Sequence, residues 1–199
     1  MNKFTNKNNQ IELNLYLEDE RGSKSLVLKA IKEKNHYKIF SNNNIYYGKL
    51  TWNWFVTNFK AYDSDDQLVI EIKYDFNFKG MYGPTTMQVK IPVENSAGVY
   101  DEKGGGKGKI MNLKNKLPEY NDYYRSYVLN FIDRSIVPHE KNFQIIFDSN
   151  NIEADKKNIL CQFALTEDSD FILDFKYPFN YLNAFALGTA TLAEKFFVQ

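Results

Sequence analysis

The side chains able to do chemistry in this sequence are few and scattered. The 2 histidines are His36 and His139, and the 1 cysteine is Cys161. The histidines lie far apart and lack the cysteine or carboxylate spacing of a metal site. Cys161 sits in an apolar run, Leu160 to Phe163, and reads as a buried structural thiol rather than a nucleophile. A single cysteine excludes an internal disulfide and a multi-cysteine zinc site, and fits a reducing compartment. Asp63, Asp65 and Asp66 lack the glycine and the bidentate glutamate of a calcium loop, so they read as a turn. Gly104 to Lys109 looks like a phosphate loop, but the pattern G-x-x-x-x-G-K-[ST] fails, because Gly108 follows Lys107 and Ile110 follows Lys109. Lys49, on a strand, can hold a phosphate as a point charge. Trp52 and Trp54, two residues apart, read onto one face, as barrel filling or as an aromatic contact with a membrane or partner. Arg134 and Lys141 stand beside Asp133 and Glu140 and read as structural ion pairs. No nucleophile–base pair and no carboxylate pair emerges, so the chain reads as a non-enzyme with no cofactor.

The elements that must carry these residues are mostly strands. Aromatic residues make up 16% of the 199 residues, with 16 Phe and 14 Tyr, and large aromatics suit pleated surfaces. Leu13, Leu15 and Leu17 alternate with polar neighbours. The same spacing of two recurs in Leu68, Ile70, Ile72, Tyr74, Phe76 and Phe78, with Val69, Glu71, Lys73, Asp75 and Asn77 between them; in Met87, Val89 and Ile91; in Tyr127, Leu129 and Phe131; and in Phe171, Leu173, Phe175 and Tyr177. One apolar and one polar face marks a half-buried antiparallel strand. Shorter strands are expected at Ser25 to Lys32, Tyr37 to Phe40, Ile45 to Leu50, Trp52 to Tyr62, Phe143 to Phe147 and Ile159 to Leu165. Residues 1–10 read as a short polar tail, and residues 11–199 as one domain. Within it, the glycine-rich stretch at about 94–109 reads as a flexible surface loop.

The end of the chain breaks the period. From Tyr181 to Phe197, Ala, Leu and Phe recur on every face at helical spacing, with Asn180 as a cap. A helix that is apolar all round must be buried. At 1.5 Å per residue it spans about 25 Å, the height of a small barrel. The fold expected is therefore mainly β, a closed antiparallel barrel threaded by its own C-terminal hydrophobic helix. Lys+Arg and Asp+Glu are both 25, so the formal net charge is zero. That excludes a chain-wide pull towards nucleic acid and leaves only local patches. The first ten residues lack the apolar core of a secretory signal, and no run of about 18 apolar residues spans a bilayer. The chain reads as cytoplasmic.

Several motifs then resemble one family. Tyr127-Val128-Leu129-Asn130-Phe131, Arg134 and Lys141-Asn142-Phe143-Gln144-Ile145 resemble the signature of the tubby C-terminal domain. Leu113, Asn115, Lys116, Pro118 and Asn121 before them, and Gln162, Phe163, Asp174, Tyr177, Pro178 and Ala184 to Ala186 after them, fall in the family's register. Tyr47-Gly48-Lys49-Leu50 is similar to the tubby Gly-Lys-Leu-Arg segment. The resemblance covers about Leu13 to Phe197. It implies a closed barrel of about twelve strands around a central helix, and a basic pocket on the barrel wall for phosphoinositide head groups. It also implies adaptor work at a membrane, a cilium or a basal body. The fold alone does not set function.

The departures fall at that pocket. Lys49 keeps the family's lysine, but Thr51 stands where the family has Arg. Asp66 stands at a second Arg position, Thr85 and Thr86 at an Arg-Lys pair, and His36 near an Asn. A threonine hydroxyl cannot replace a guanidinium's charge or its bidentate grip. The resemblance thus implies a degenerate lipid pocket carried by Lys49 and His36, with weak phosphoinositide binding. The alternative is a structural or protein-interaction component of a ciliary or cytoskeletal assembly. The ten residues before the first strand leave no room for the N-terminal helix by which some relatives bind the intraflagellar transport machinery.

Overall fold

The computed structural model describes residues 1–5, 10–75, 86–93, 109–123, 125–131, 134–149 and 158–193. Among the described residues, fourteen strands and one helix follow in order. They are β1 Asn2–Thr5, β2 Ile11–Glu18, β3 Lys24–Lys32, β4 His36–Ser41, β5 Tyr46–Trp52, β6 Asn58–Asp63 and β7 Leu68–Asp75. Then come β8 Thr86–Val93, β9 Lys109–Asn115, β10 Glu119–Asn121, β11 Ser126–Val128, β12 Phe143–Phe147, β13 Cys161–Leu165, β14 Phe171–Phe175 and the helix α1 Tyr181–Leu192. The glycine-rich stretch, apart from Lys109, lies outside the described residues, as do Phe76, Phe78 and Phe196.

Period-2 alternation becomes faces. On β7, Ile70, Ile72 and Tyr74 are buried while Glu71 and Lys73 face out; on β8, Met87, Val89 and Ile91 are buried between Gln88 and Lys90. The inward side chains pack on α1, which touches β3, β5, β6, β7 and β14. Every α1 residue from Leu182 to Leu192 is buried. Three of its polar side chains, Asn183, Thr189 and Thr191, are buried. Thr191 Oγ1 donates to Leu187 O at 3.0 Å and shares a 3.1 Å hydrogen bond with the buried Tyr74 hydroxyl. Burial pushes the Tyr74 hydroxyl up to about 12.

Asn180 caps α1 as expected. Asn183 N donates to Asn180 Oδ1 at 3.0 Å, and Asn180 N donates back to Asn183 Oδ1 at 2.7 Å. The reciprocal pair satisfies two donors that no helical bond can reach. Asn180→Ala is expected to cost about 1 kcal/mol. Urea unfolding should show a lower midpoint at unchanged slope, and an unchanged midpoint would refute the cap's contribution.

The expected closed barrel is corrected. One antiparallel sheet of 12 strands runs β1-β2-β3-β4-β5-β6-β7-β8-β9-β12-β13-β14 and stops; β10 and β11 form a separate 2-stranded sheet. Among the described residues no ladder joins β1 to β14. Their edges meet at one point, where Phe171 N donates to Met1 O at 3.1 Å and the Met1 amino group donates back to Phe171 O. Alternation decides which face is buried, but only edge-strand length and register decide whether a sheet closes. Here the edge strands are short, and the sheet stays open around its helix. The segment read as a polar tail contributes β1, which pairs Asn2 to Thr5 with Asn14 to Ile11.

Two further expectations are corrected. The single strand read from Trp52 to Tyr62 is two, β5 and β6, with a turn between them. Trp52 and Trp54 consequently do not share a face. Trp52 packs against Tyr37 and Phe59 with ring centroids 5.7 Å and 6.1 Å away, whereas Trp54, on the turn, is 90% exposed.

Candidate functional site

The outward face of β4, β5 and β6 carries both residues singled out for an anion. Tyr37 and Ile39, Leu50, and Phe59 and Ala61 point into the core from the three strands. The alternate residues therefore face out. Strand register sets His36 opposite Thr51 and Thr51 opposite Lys60; in the adjacent row Lys38 faces Lys49 and Lys49 faces Tyr62. His36 and Lys49 thus lie on one surface, on neighbouring strands and in neighbouring rows.

Each lysine there has an acid of its own. Lys49 Nζ lies 2.6 Å from Asp66 Oδ1 and 5.5 Å from the centre of the Tyr62 ring. The hydrogen bond to Asp66 raises the Lys49 ammonium above its ordinary value. Glu33 takes Lys38 Nζ at 2.7 Å and His36 Nε2 at 3.2 Å. Its carboxyl is held below the usual range, first by the hydrogen bond from Lys38. Lys60 Nζ stands 3.7 Å from Glu71. Three lysines face three carboxylates, so the patch is locally neutral. Thr51, where the family resemblance places an Arg, donates its hydroxyl to Lys60 O at 3.2 Å.

The Asp66 carboxylate is positioned by a tight turn. Asp63 Oδ1 accepts from Asp65 N and Gln67 N at 2.9 Å each, and Asp66 takes a positive φ of 60°. Such a backbone is more tolerable for Asp than for most residues. The lysine side is placed by Gly48. Any Cβ at that position would lie 2.2 Å from the Tyr62 carbonyl oxygen. Glycine therefore lets β5 and β6 approach with Lys49 and Tyr62 side by side.

The remaining candidates fall elsewhere. His139 Nδ1 accepts from Lys141 N at 3.1 Å, and its ring stands edge-on to Phe171. Arg134 grips Asp174 with two bonds, at 3.1 Å and 2.8 Å. This is an ion pair, as the residue types suggest, though with a partner 40 residues away. Cys161 is buried, and burial pushes its thiol well above the ordinary range. Such a thiol is inert at neutral pH. Among the described residues no cluster of three or more His, Cys, Asp or Glu could hold a metal ion. No described helix is long and apolar enough to cross a membrane.

The resemblance sets Asp66 at the same pocket as Lys49, but the direct Lys49–Asp66 pair is not part of it. The pair's signal was present in the opposite charges at the two ends of the β5–β6 hairpin, but only the register brings them together.

The described frame is thus a large antiparallel sheet wrapped on a buried hydrophobic helix, with lysines paired to carboxylates on its outer wall. The Tub family model matches residues 3–194, and the chain belongs to that family. It is 34% identical over 171 residues to protein king tubby of Anopheles gambiae, covering 74% of this chain and 37% of the relative. It is 34% identical to protein king tubby 1 of Aedes aegypti, covering 74% of this chain and 40% of the relative. To protein king tubby of Drosophila virilis it is 32% identical over 215 residues, covering 91% of this chain and 46% of the relative. The chain spans less than half the length of these relatives.

Proposed function

We propose that this chain is a non-enzymatic adaptor whose phosphoinositide head-group site, on the outer face of β4 to β6, is self-neutralised. The Lys49–Asp66 contact at 2.6 Å carries this reading. Asp66 supplies the anion that a lipid phosphate would otherwise bring to Lys49. An exposed pair of this kind is worth less than about 1 kcal/mol, so a phosphate bearing two charges can displace it. The product is a weak site that dense head groups at a membrane can engage and a single soluble head group engages poorly. His36 flanks it, already shared with Glu33. The location that fits is peripheral, at a membrane of a cilium or basal body.

The test is vesicle flotation with and without phosphatidylinositol bisphosphate, on the parent, Thr51→Arg, Asp66→Arg and the double variant. Asp66→Arg both frees Lys49 and adds a cation. The double variant is expected to bind roughly tenfold or more better than the parent and better than either single change. Binding should weaken with salt, since charges screen over about 8 Å at physiological ionic strength. A double variant no better than the parent would end the lipid reading.

One observation favours a second reading, protein contact. The β10–β11 hairpin stands apart from the main sheet and exposes Leu117, Tyr120 and Tyr127, with Tyr120 and Tyr127 stacked edge-on at 5.5 Å. Exposed tyrosines of this kind anchor protein interfaces. In that case the protein sediments with a large assembly after detergent, and Tyr120→Ala with Tyr127→Ala releases it.

A further inference from the structure

The turn of residues 53–57, which joins β5 to β6, carries two adjacent aromatic side chains outward. Trp54 is 90% exposed and Phe55 59%. The turn beneath them is firmly built. Asn53 Oδ1 accepts from Thr57 N at 2.8 Å and from Asn58 N at 3.0 Å, and Asn53 Nδ2 donates to Thr57 Oγ1 at 2.9 Å. Val56 N donates to Asn53 O at 2.9 Å, and Tyr74 N donates to Thr57 O at 2.8 Å. Val56 takes a φ of 55°, which a β-branched residue keeps only where its surroundings fix it. Its side chain lies in the main core. The strained residue thus anchors the turn, and the two residues before it are held out in water.

The tip suits a water-poor layer. The N–H groups of Val56, Thr57 and Asn58 are bonded within the protein, so entry takes no water partner from them. A Trp ring joins a large apolar body to one N–H donor, which fits the boundary between lipid head groups and acyl chains. Two aromatic side chains offer at most about 500 Å². A standard protein interface takes about 800 Å² from each partner, whereas a bilayer needs no matching pocket. The charge at this end of the sheet agrees. The turn of residues 33–35, between β3 and β4, lies at the same end. Of the carboxylates there, Glu33 is held by Lys38, Glu71 by Lys60 and Asp75 by Lys73. Lys34 is exposed and has no ion pair among the described residues. It adds an uncompensated positive charge at the apolar tip's end of the sheet, and anionic lipid attracts such a charge.

We propose that the β5–β6 tip inserts Trp54 and Phe55 into the head-group boundary of an anionic membrane. The proposal deepens the membrane reading above but rests on other residues than Lys49 and Asp66.

The test uses vesicles of phosphatidylcholine and phosphatidylserine with brominated acyl chains, with and without phosphatidylinositol bisphosphate. The chain has 2 Trp, so Trp52→Phe leaves Trp54 as the only reporter. Its emission is expected to shift to shorter wavelength on vesicles and to be quenched most by bromine near the glycerol end of the chains. If Trp52→Phe does not fold, the difference in quenching between the parent and Trp54→Ser reads the same insertion. Trp54→Ser with Phe55→Ser should lower flotation at least about tenfold at an unchanged urea midpoint. Trp54 quenched equally without the bisphosphate lipid supports the tip and removes the head-group reading. Flotation that needs that lipid while Trp54 stays unquenched overturns the tip and leaves the head-group reading standing. A double variant that floats like the parent overturns the proposal. If that variant also drops out of a detergent-resistant assembly, the tip is a protein anchor instead.

Discussion

Phe185→Ala is expected to lower the stability of the protein by about 3–5 kcal/mol. Phe185 lies in the middle of α1 with 0% exposure, in the core cluster shared by the helix and the sheet. Removing its ring takes away buried apolar area and leaves a void that neighbouring strands cannot fill without breaking their own ladders. Domains of this size are stable by only about 5–15 kcal/mol, so the loss is a large fraction of the total. Urea unfolding should show the midpoint falling steeply, with Phe185→Leu falling much less. A shift under about 0.5 kcal/mol would mean that α1 is not the centre of the core.

Gly48→Ala is expected to cost about 3 kcal/mol, the upper part of the usual range for overpacking. The added Cβ would meet the Tyr62 carbonyl at 2.2 Å and Asp63 Cα at 3.2 Å. Both are backbone atoms and cannot swing aside. Gly48 also has a φ of 158°, a conformation that L side chains rarely adopt. The strain falls on the β5–β6 ladder, so the neighbouring Lys49–Asp66 contact should loosen as well. Unfolding measurements on Gly48→Ala and on Ala61→Gly, a plain core truncation on the facing strand, check this. If the two lose similar amounts, the close approach at Gly48 carries no special cost.

The two faces of β7 and β8 were legible in the sequence, because a side-chain period of two has no other good explanation over that length, whereas β12 and β14 show no such alternation of burial. The helix was legible because Ala, Leu and Phe on every side leave no solvated face, and Asn180 announced its start. The break between β5 and β6 was hidden for a physical reason. Trp52-Asn53-Trp54-Phe55-Val56 contains no Gly or Pro, and its aromatic and β-branched residues favour strands. The turn is made instead by the Asn53 side chain, whose Oδ1 accepts from Thr57 N at 2.8 Å and from Asn58 N at 3.0 Å. It also needs Val56 at a φ of 55°, which composition does not advertise. At the candidate site, Lys49 and Asp66 could be named but not joined. Their meeting depends on hairpin register and on the turn at Asp63, neither of which residue types alone determine. Closure was misjudged because alternation is the same in an open sheet and a closed one.

The order of strands in the sheet bears on how the molecule is assembled in time. From β1 to β9 every strand lies beside the one that precedes it in the chain. Each new strand can therefore dock as a hairpin on an edge already present, with a small loop-closure cost at every step. Among the described strands only the step from β9 to β12 skips chain, and the long-range contacts come late: α1 packs on β3, and Phe171 meets Met1. As the chain leaves the ribosome, all 12 strands of the sheet are made before the helix exists. Until α1 arrives, the inward rows of that sheet face solvent. The growing chain thus presents an exposed apolar surface during synthesis, and that interval is when it is most open to chaperone capture or aggregation.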